Sequence, residues 1–241
     1  MATKNKMTKQ QVLAELKEMG DEATRKTYIS HGGTGEYFGV KVGDMKKIAK
    51  KIKTDHTLAL ELMATNNGDA QYFAGMIANP KEVSVQELDA WVDGATGYWV
   101  SEFAIPGVAA DSPHGWDLGL KWTESDEDKI SSAGWATLAN CLMVTPDENL
   151  DSEQIKSLLQ RVANDLSQAK NRTRYAMNGF VIAVGTSVVP LAAEAIKTAE
   201  SIGKVHVDMG GTSCKVPLAT EKIEKAVKFG RQGKKRKSAR C

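Results

Sequence analysis

The sequence predicts an all-α protein, a superhelix of stacked helix pairs with about twelve helices in all, followed by a short basic tail. Three observations carry that reading. Apolar residues recur with a helical period from end to end, short capped turns separate the periodic stretches, and strand-like alternation is almost absent.

Thr8 reads as the N-cap of a first helix with Val12, Leu13, Leu16 and Met19 on one face, and Gly20 stops it. A second helix covers roughly 21 to 30. A glycine-dense loop, His31 to Gly39, follows. From Lys41 to Lys53, Met45, Ile48, Ala49 and Ile52 share one face, opposite Lys46, Lys47, Lys50 and Lys51. Asp55 caps a helix through Ala64, Asp69 starts another through Ala78, and Asn79-Pro80 ends it. Ser84 to Glu87 is a capping box ahead of Leu88, Trp91 and Val92. Further helices are expected at 97 to 110, with a kink or break at Pro106, and at 113 to 123, 126 to 144, 152 to 166, 170 to 185, 189 to 202 and 218 to 229. Only Val205 to Asp208 reads as extended, a short strand-like excursion before the last helix.

Three short segments, Phe73 to Ala78, Ser132 to Thr137 and Tyr175 to Phe180, each place small residues inside the second helix of a pair. Their spacings of about 59 and 43 residues suit HEAT-type pairs carrying insertions, in which small residues let helices stack closely. The predicted organisation is therefore one superhelix of HEAT-like repeats over residues 1–230 and a basic, flexible tail over 231–241. That tail cannot form a core of its own, so disorder is expected of it.

The net charge of +2 is uneven, because six basic residues and no acid fall within the last eleven positions, leaving −4 for the rest. Contacts to nucleic acid would therefore come from local basic clusters and the tail. Apolar residues are densest from Phe180 to Ile196, but Thr186, Ser187, Pro190 and Glu194 interrupt them, short of the roughly 20 apolar residues that span a membrane. No secretory pattern opens the chain, so a cytoplasmic, nucleoid-associated location is expected, with no membrane partner. Cys141, Cys214 and Cys241 are scattered and read as reduced thiols. His206, Asp208 and Cys214 lack paired metal spacing, and neither metal nor cofactor is expected. The glycine loop lacks a preceding strand and a Gly-Lys-Ser/Thr ending, so it is no nucleotide loop.

The stretches His31 to Val40, His56 to Leu62 with Asn66 to Ala78, Ser125 to Ala139, Tyr175 to Gly185, and Cys214 to Pro217 through Lys237 together resemble the DNA alkylation repair (AlkD-like) family over nearly the whole chain. The resemblance implies a concave surface that cradles duplex DNA and, in active members, hydrolysis of the bond between sugar and N3- or N7-alkylated purine. Such a cationic base leaves without protonation. The site then needs a carboxylate to stabilise the oxocarbenium-like sugar and aromatic faces to hold the base.

Matched residue by residue, the family's aromatic pair falls on Tyr98-Trp99. Its aspartate falls on Phe103, with Glu102 one residue earlier. Glu102 can serve only if the helix shifts, since neighbouring helical residues point about 100° apart. The family's arginine falls on Ser132, and its tryptophan after glycine falls on Phe180. The candidate catalytic residues are thus Trp99 and Glu102. The candidate DNA contacts are Tyr98, Lys129, Lys170, Arg172, Arg174, Tyr175, Phe180 and, in the tail, Lys234, Lys235, Arg236 and Lys237. The cluster at 170 to 175 opens a helix, where phosphates can be gripped. Each candidate also has a bland reading, Trp99 as core, Glu102 as an exposed helix residue, and the basic cluster as a solvated turn. Trp116, Trp122 and Trp135 read as packing.

Three functions from different classes follow. The first is binding of duplex, damaged or branched DNA with weak or no excision, because two of the three departures remove charge. The second is an active alkylpurine glycosylase, and the third is a protein-interaction scaffold.

Overall fold

The computed structural model describes residues 6–240. Its thirteen α-helices begin with α1 (Lys9–Glu18), α2 (Glu22–Ser30), α3 (Val42–Ile52), α4 (His56–Met63) and α5 (Gly68–Ile77). Next come α6 (Val85–Asp93), a π-helical turn (Val100–Ala104) running into α7 (Ile105–Ala110), α8 (Gly115–Thr123) and α9 (Asp128–Val144). Then follow α10 (Ser152–Asp165), α11 (Asn171–Ser187), α12 (Ala192–Ile202) and α13 (Ala219–Lys228). The caps read from the sequence at Thr8, Asp55 and Ser84/Glu87 form, Thr8 pairing with Gln11 in a reciprocal box, and Asp21 adds a single-sided cap to α2.

The helices form two rows. In the inner row α5, the π turn with α7, α9, α11 and α13 pack one on the next. The outer row is stitched by tryptophan N–H groups, since Trp122 Nε1 donates to Asp89 (2.8 Å) and Trp116 Nε1 to Gln154 (2.5 Å). Apolar side chains between the rows form a core that centres first on Phe73 and Ile105 and then on Trp135 and Phe180. Small residues permit the close contacts in two of the three expected places. A Cβ on Gly134 would meet the backbone of Thr123 at 2.5 Å, and Gly75 lies against Ala104. At Gly179 the expected contact is missing, because that position opens onto the concave face with nothing within 4 Å.

Three expectations need correction. Asp69 does not cap α5, a task done by Asn67, whose side chain accepts from Ala70 N–H. Asp69 instead sits fully buried and accepts the N–H groups of Phe38 (2.7 Å), Gly39 (3.1 Å) and Val40 (2.8 Å), so one carboxylate holds the glycine loop to the core. The Val205–Asp208 segment belongs to no helix and pairs with no strand. The Asn171 side chain exchanges both hydrogen bonds with the backbone of Asp208, satisfying the groups a ladder would have satisfied. An isolated bridge between Glu36 and Asn67 is the nearest approach to strand pairing among the described residues.

The third correction concerns the tail. Residues 231–240 do not stand apart from the helices but lie across the C-terminal ends of the inner ones. Gly233 N–H donates to Thr186 O and Arg236 N–H to Met143 O, both at 2.8 Å. Lys235 reaches Leu142 O and Asp147, and Arg240 reaches Ala78 O and Asp111. The segment needs no core of its own, because unpaired carbonyls at the negative dipole ends of α5, α9 and α11, with the Asp111 carboxylate at the end of α7, receive its N–H groups and cations. Cys141 is buried and Cys214 exposed, both free thiols, while Cys241 lies outside the described residues. No single helix among the described residues is long and apolar enough to cross a membrane.

Replacing Asp69 by alanine strands two buried N–H donors, Gly39 and Val40, and the half-buried one of Phe38, and each unsatisfied buried group costs about 1–3 kcal/mol. Urea unfolding of the Asp69→Ala protein should show a loss of about 3 kcal/mol or more. A loss below about 1 kcal/mol would mean that the loop is held by other contacts.

Candidate functional site

Pro106 shapes the local chain around the site. It has no N–H, and in an uninterrupted α-helix its ring would collide with the carbonyl of Glu102, four residues back. The chain therefore widens for one turn, with the N–H of Ile105 bonding Val100 O, five residues back. This is the helix shift that Glu102 needs to face inward. Both Glu102 and Phe103 line the concave cleft, but Glu102 is 4% exposed and Phe103 46%.

Glu102 does not stand free. Arg172, 70 residues on, grips it with two hydrogen bonds, Nε to Oε1 at 2.8 Å and Nη2 to Oε2 at 2.5 Å. The guanidinium carbon lies 4.1 Å from the Tyr98 ring centre and 4.4 Å from that of Tyr175, and Nη1 lies 3.5 Å from Met209 Sδ. Two aromatic faces, a thioether and a carboxylate thus enclose one cation. Gly32 allows Tyr98 to close the wall, since a Cβ there would fall 2.5 Å from the phenol oxygen.

Burial pushes the Glu102 carboxyl above the ordinary carboxylate range, against the pull of the Arg172 hydrogen bonds and charge. Burial weighs most heavily against the Arg172 cation, but the hydrogen bond and charge of Glu102 together with both tyrosines outweigh it, so Arg172 holds its proton more firmly than usual. Because a guanidinium does not give up its proton in a protein, the carboxylate is the one group placed to balance it, and the two stand as an ion pair. Burial followed by the Arg172 charge lowers the nearby His31, while burial raises Tyr98 and Tyr175.

Most of the remaining candidates are also engaged within the chain, although the Trp99 Nε1 and Arg174 Nε donors are buried without a hydrogen-bond partner among the described residues. Trp99 lies between Tyr72 (ring centres 4.3 Å apart) and Tyr28 (4.5 Å), so neighbours already cover both indole faces. The start of α11 holds an anion of its own. The Asp128 carboxylate accepts the N–H groups of Arg172 (3.0 Å) and Thr173 (2.7 Å), where a phosphate would otherwise sit. Lys129 and Lys170 donate to the backbone carbonyls of Asp93 and Asp126 along the turn edge. Arg174 lies about 200° around α11 from Arg172 by helical period, so the two do not share a face. Phe180 does not reach the cleft, being fully buried with its ring edge-on to Trp135 at 5.3 Å. Ser132, also fully buried, donates to Lys129 O.

The structure thus brings Tyr98, Glu102, Arg172 and Tyr175 together, and leaves Trp99, Phe180, Arg174, Lys129 and Lys170 elsewhere. Beside the caged cation lies a cleft of about 360 Å³. Phe103, Ala136, Asn140, Gly179 and Ala183 are among its lining residues, and Arg236 and Ala239 of the docked tail close one side. Sequence reasoning missed three residues, Asp128, Met209 and the tail anchor Asp111. Only Asp111 carried a usable signal, as an isolated acid near a segment that later meets a basic tail.

Removing one partner of a buried ion pair costs about 3–5 kcal/mol. Arg172→Ala should lose that much by chemical denaturation, and millimolar methylguanidinium chloride should restore part of it where equal sodium chloride does not. A loss within about 1 kcal/mol, or equal effects of the two salts, would contradict the caged-cation geometry.

The pattern that defines the DNA alkylation repair enzyme family matches residues 12–223. An uncharacterized protein of Listeria innocua serovar 6a is 35% identical over 225 residues, 91% of this chain and 97% of that protein. Another from Listeria monocytogenes serovar 1/2a is 33% identical over 225 residues, with the same shares. Among solved structures, a member of a new family of proteins related to the HEAT-like repeat DNA glycosylases, with affinity for branched DNA structures, aligns with a TM-score of 0.89. It is 39% identical, and the alignment covers 98% of this chain and 100% of that one. The two-row helical architecture is of the HEAT-like repeat type, and the chain belongs to the DNA alkylation repair enzyme family.

Proposed function

We propose that this protein binds DNA along its concave face, favours branched over linear duplex, and does not excise alkylated bases. The observation that carries the reading is the caged cation. A box of two tyrosine faces and a carboxylate suits a positively charged alkylpurine, and here Arg172 fills it. Both oxygens of Glu102 are engaged, so the carboxylate is not free to stabilise a developing sugar cation or to orient water. Phe103 is apolar where the resemblance places the family's aspartate, and the faces of Trp99 are covered.

Binding does not need that machinery, because phosphate contacts supply most of the affinity for DNA and need only exposed cations. Arg231, Lys234, Arg236 and Lys237 are exposed on the docked tail. The solved relative with affinity for branched DNA supports extending that preference to this chain.

Titration of a labelled four-way junction and of a linear duplex of equal length, at low salt, tests the proposal. Saturable binding is expected, several-fold tighter for the junction and weakening steeply as salt rises. Equal affinity for the two would remove the branch preference, and absence of binding to both would overturn the function.

A further inference from the structure

The docked tail places its cations instead of letting them drift. Arg231 N–H bonds Ala226 O, Gly233 N–H bonds Thr186 O and Arg236 N–H bonds Met143 O, each at 2.8 Å. Between the last two, the Lys235 ammonium is tied to Leu142 O and Asp147, both at 2.8 Å. These bonds fix the backbone from 231 to 236, so the side chains of Arg231, Lys234 and Arg236 converge on one notch of about 410 Å³ at the ends of α9 and α11. Thr186 and Ser187 also line the notch, and no carboxylate does. Among the described residues none of the three cations has an ion-pair partner, while the acids near the tail, Asp147 and Asp111, are taken up by Lys235 and Arg240.

Three like charges held around one notch repel one another, and an anion between them relieves that repulsion with charge-assisted hydrogen bonds. Arg236 also lines the cleft that runs to Tyr175 and Glu102. A strand laid along that cleft would pass the notch.

We infer that the notch bounded by Arg231, Lys234 and Arg236 is a phosphodiester-binding site that positions the DNA backbone on the concave face. The inference rests on the proposed DNA binding for its ligand, but the site itself is built whether or not that ligand is DNA. The fixed backbone separates it from a fluid basic tail, which would attract DNA through charge alone.

Two triple variants with the same change of charge test this. One is R231Q/K234Q/R236Q at the notch, and the other is K46Q/K47Q/K50Q on the exposed face of α3. Junction binding by fluorescence anisotropy should weaken at least tenfold for the notch variant, and the slope of log affinity against log salt should become shallower by about 2 to 3. The α3 variant should change affinity less than twofold. Equal losses for the two would overturn the site in favour of diffuse attraction. Should the unaltered protein bind no DNA, the proposed function fails and the notch is judged with inorganic pyrophosphate. A rise in Tm at constant ionic strength, absent in the notch variant, would uphold the anion site, and no rise would overturn it.

Discussion

The contact between Glu102 and Arg172 governs the concave face, because it couples the π turn to α11 and fills a box on that face suited to a cation. A buried charge pair must repay the loss of water from both ions, and it does so only when the geometry is good and the remaining donors are used. Here the two parallel hydrogen bonds, the ring faces of Tyr98 and Tyr175 and the Met209 sulfur surround the guanidinium. Pro106 makes the arrangement possible by forcing the wider turn that rotates Glu102 inward. The Val205–Asp208 excursion gains a purpose in the same frame. Asn171 pins it at Asp208, which brings Met209 over Arg172.

Several groups that could meet a ligand along the inner helices are engaged by the chain itself. An aspartate occupies the α11 N-terminus, two tyrosines cover Trp99, and backbone carbonyls take up Lys129 and Lys170. What stays outward is the docked tail, and this resolves the uneven charge. A body of net −4 could not hold DNA by its average field, but an ordered strip of cations laid across helix ends delivers positive charge locally. The strip also links helix ends across four inner helices, contacts beyond the nearest-neighbour kind that otherwise stabilise stacked repeats.

The helices were legible because each carries its own instructions, as Thr8, Asp55 and Ser84 show by capping where the sequence places them. Pro106 announced a disturbance, although its form as a π turn depends on packing around Glu102. Long-range pairings left no local trace. Nothing near Glu102 names a partner 70 residues away, and nothing near Asp128 marks it as the cap of a helix that begins at Asn171. The tail misled for a related reason. Its composition forbids a core but says nothing about a docking strip of helix carbonyls, and those exist only once α5, α9 and α11 stand side by side.

The measurement that bears most directly on a self-filled cation box is release of free base from duplex DNA containing N7-methylguanine, at protein in excess over DNA. With Arg172 in the box and Glu102 engaged at both oxygens, no release above a protein-free control is expected, although the same protein binds the duplex. Release well above that control, lost in a Glu102→Gln protein that still folds, would contradict the account, because it would require the carboxylate to be available to the sugar.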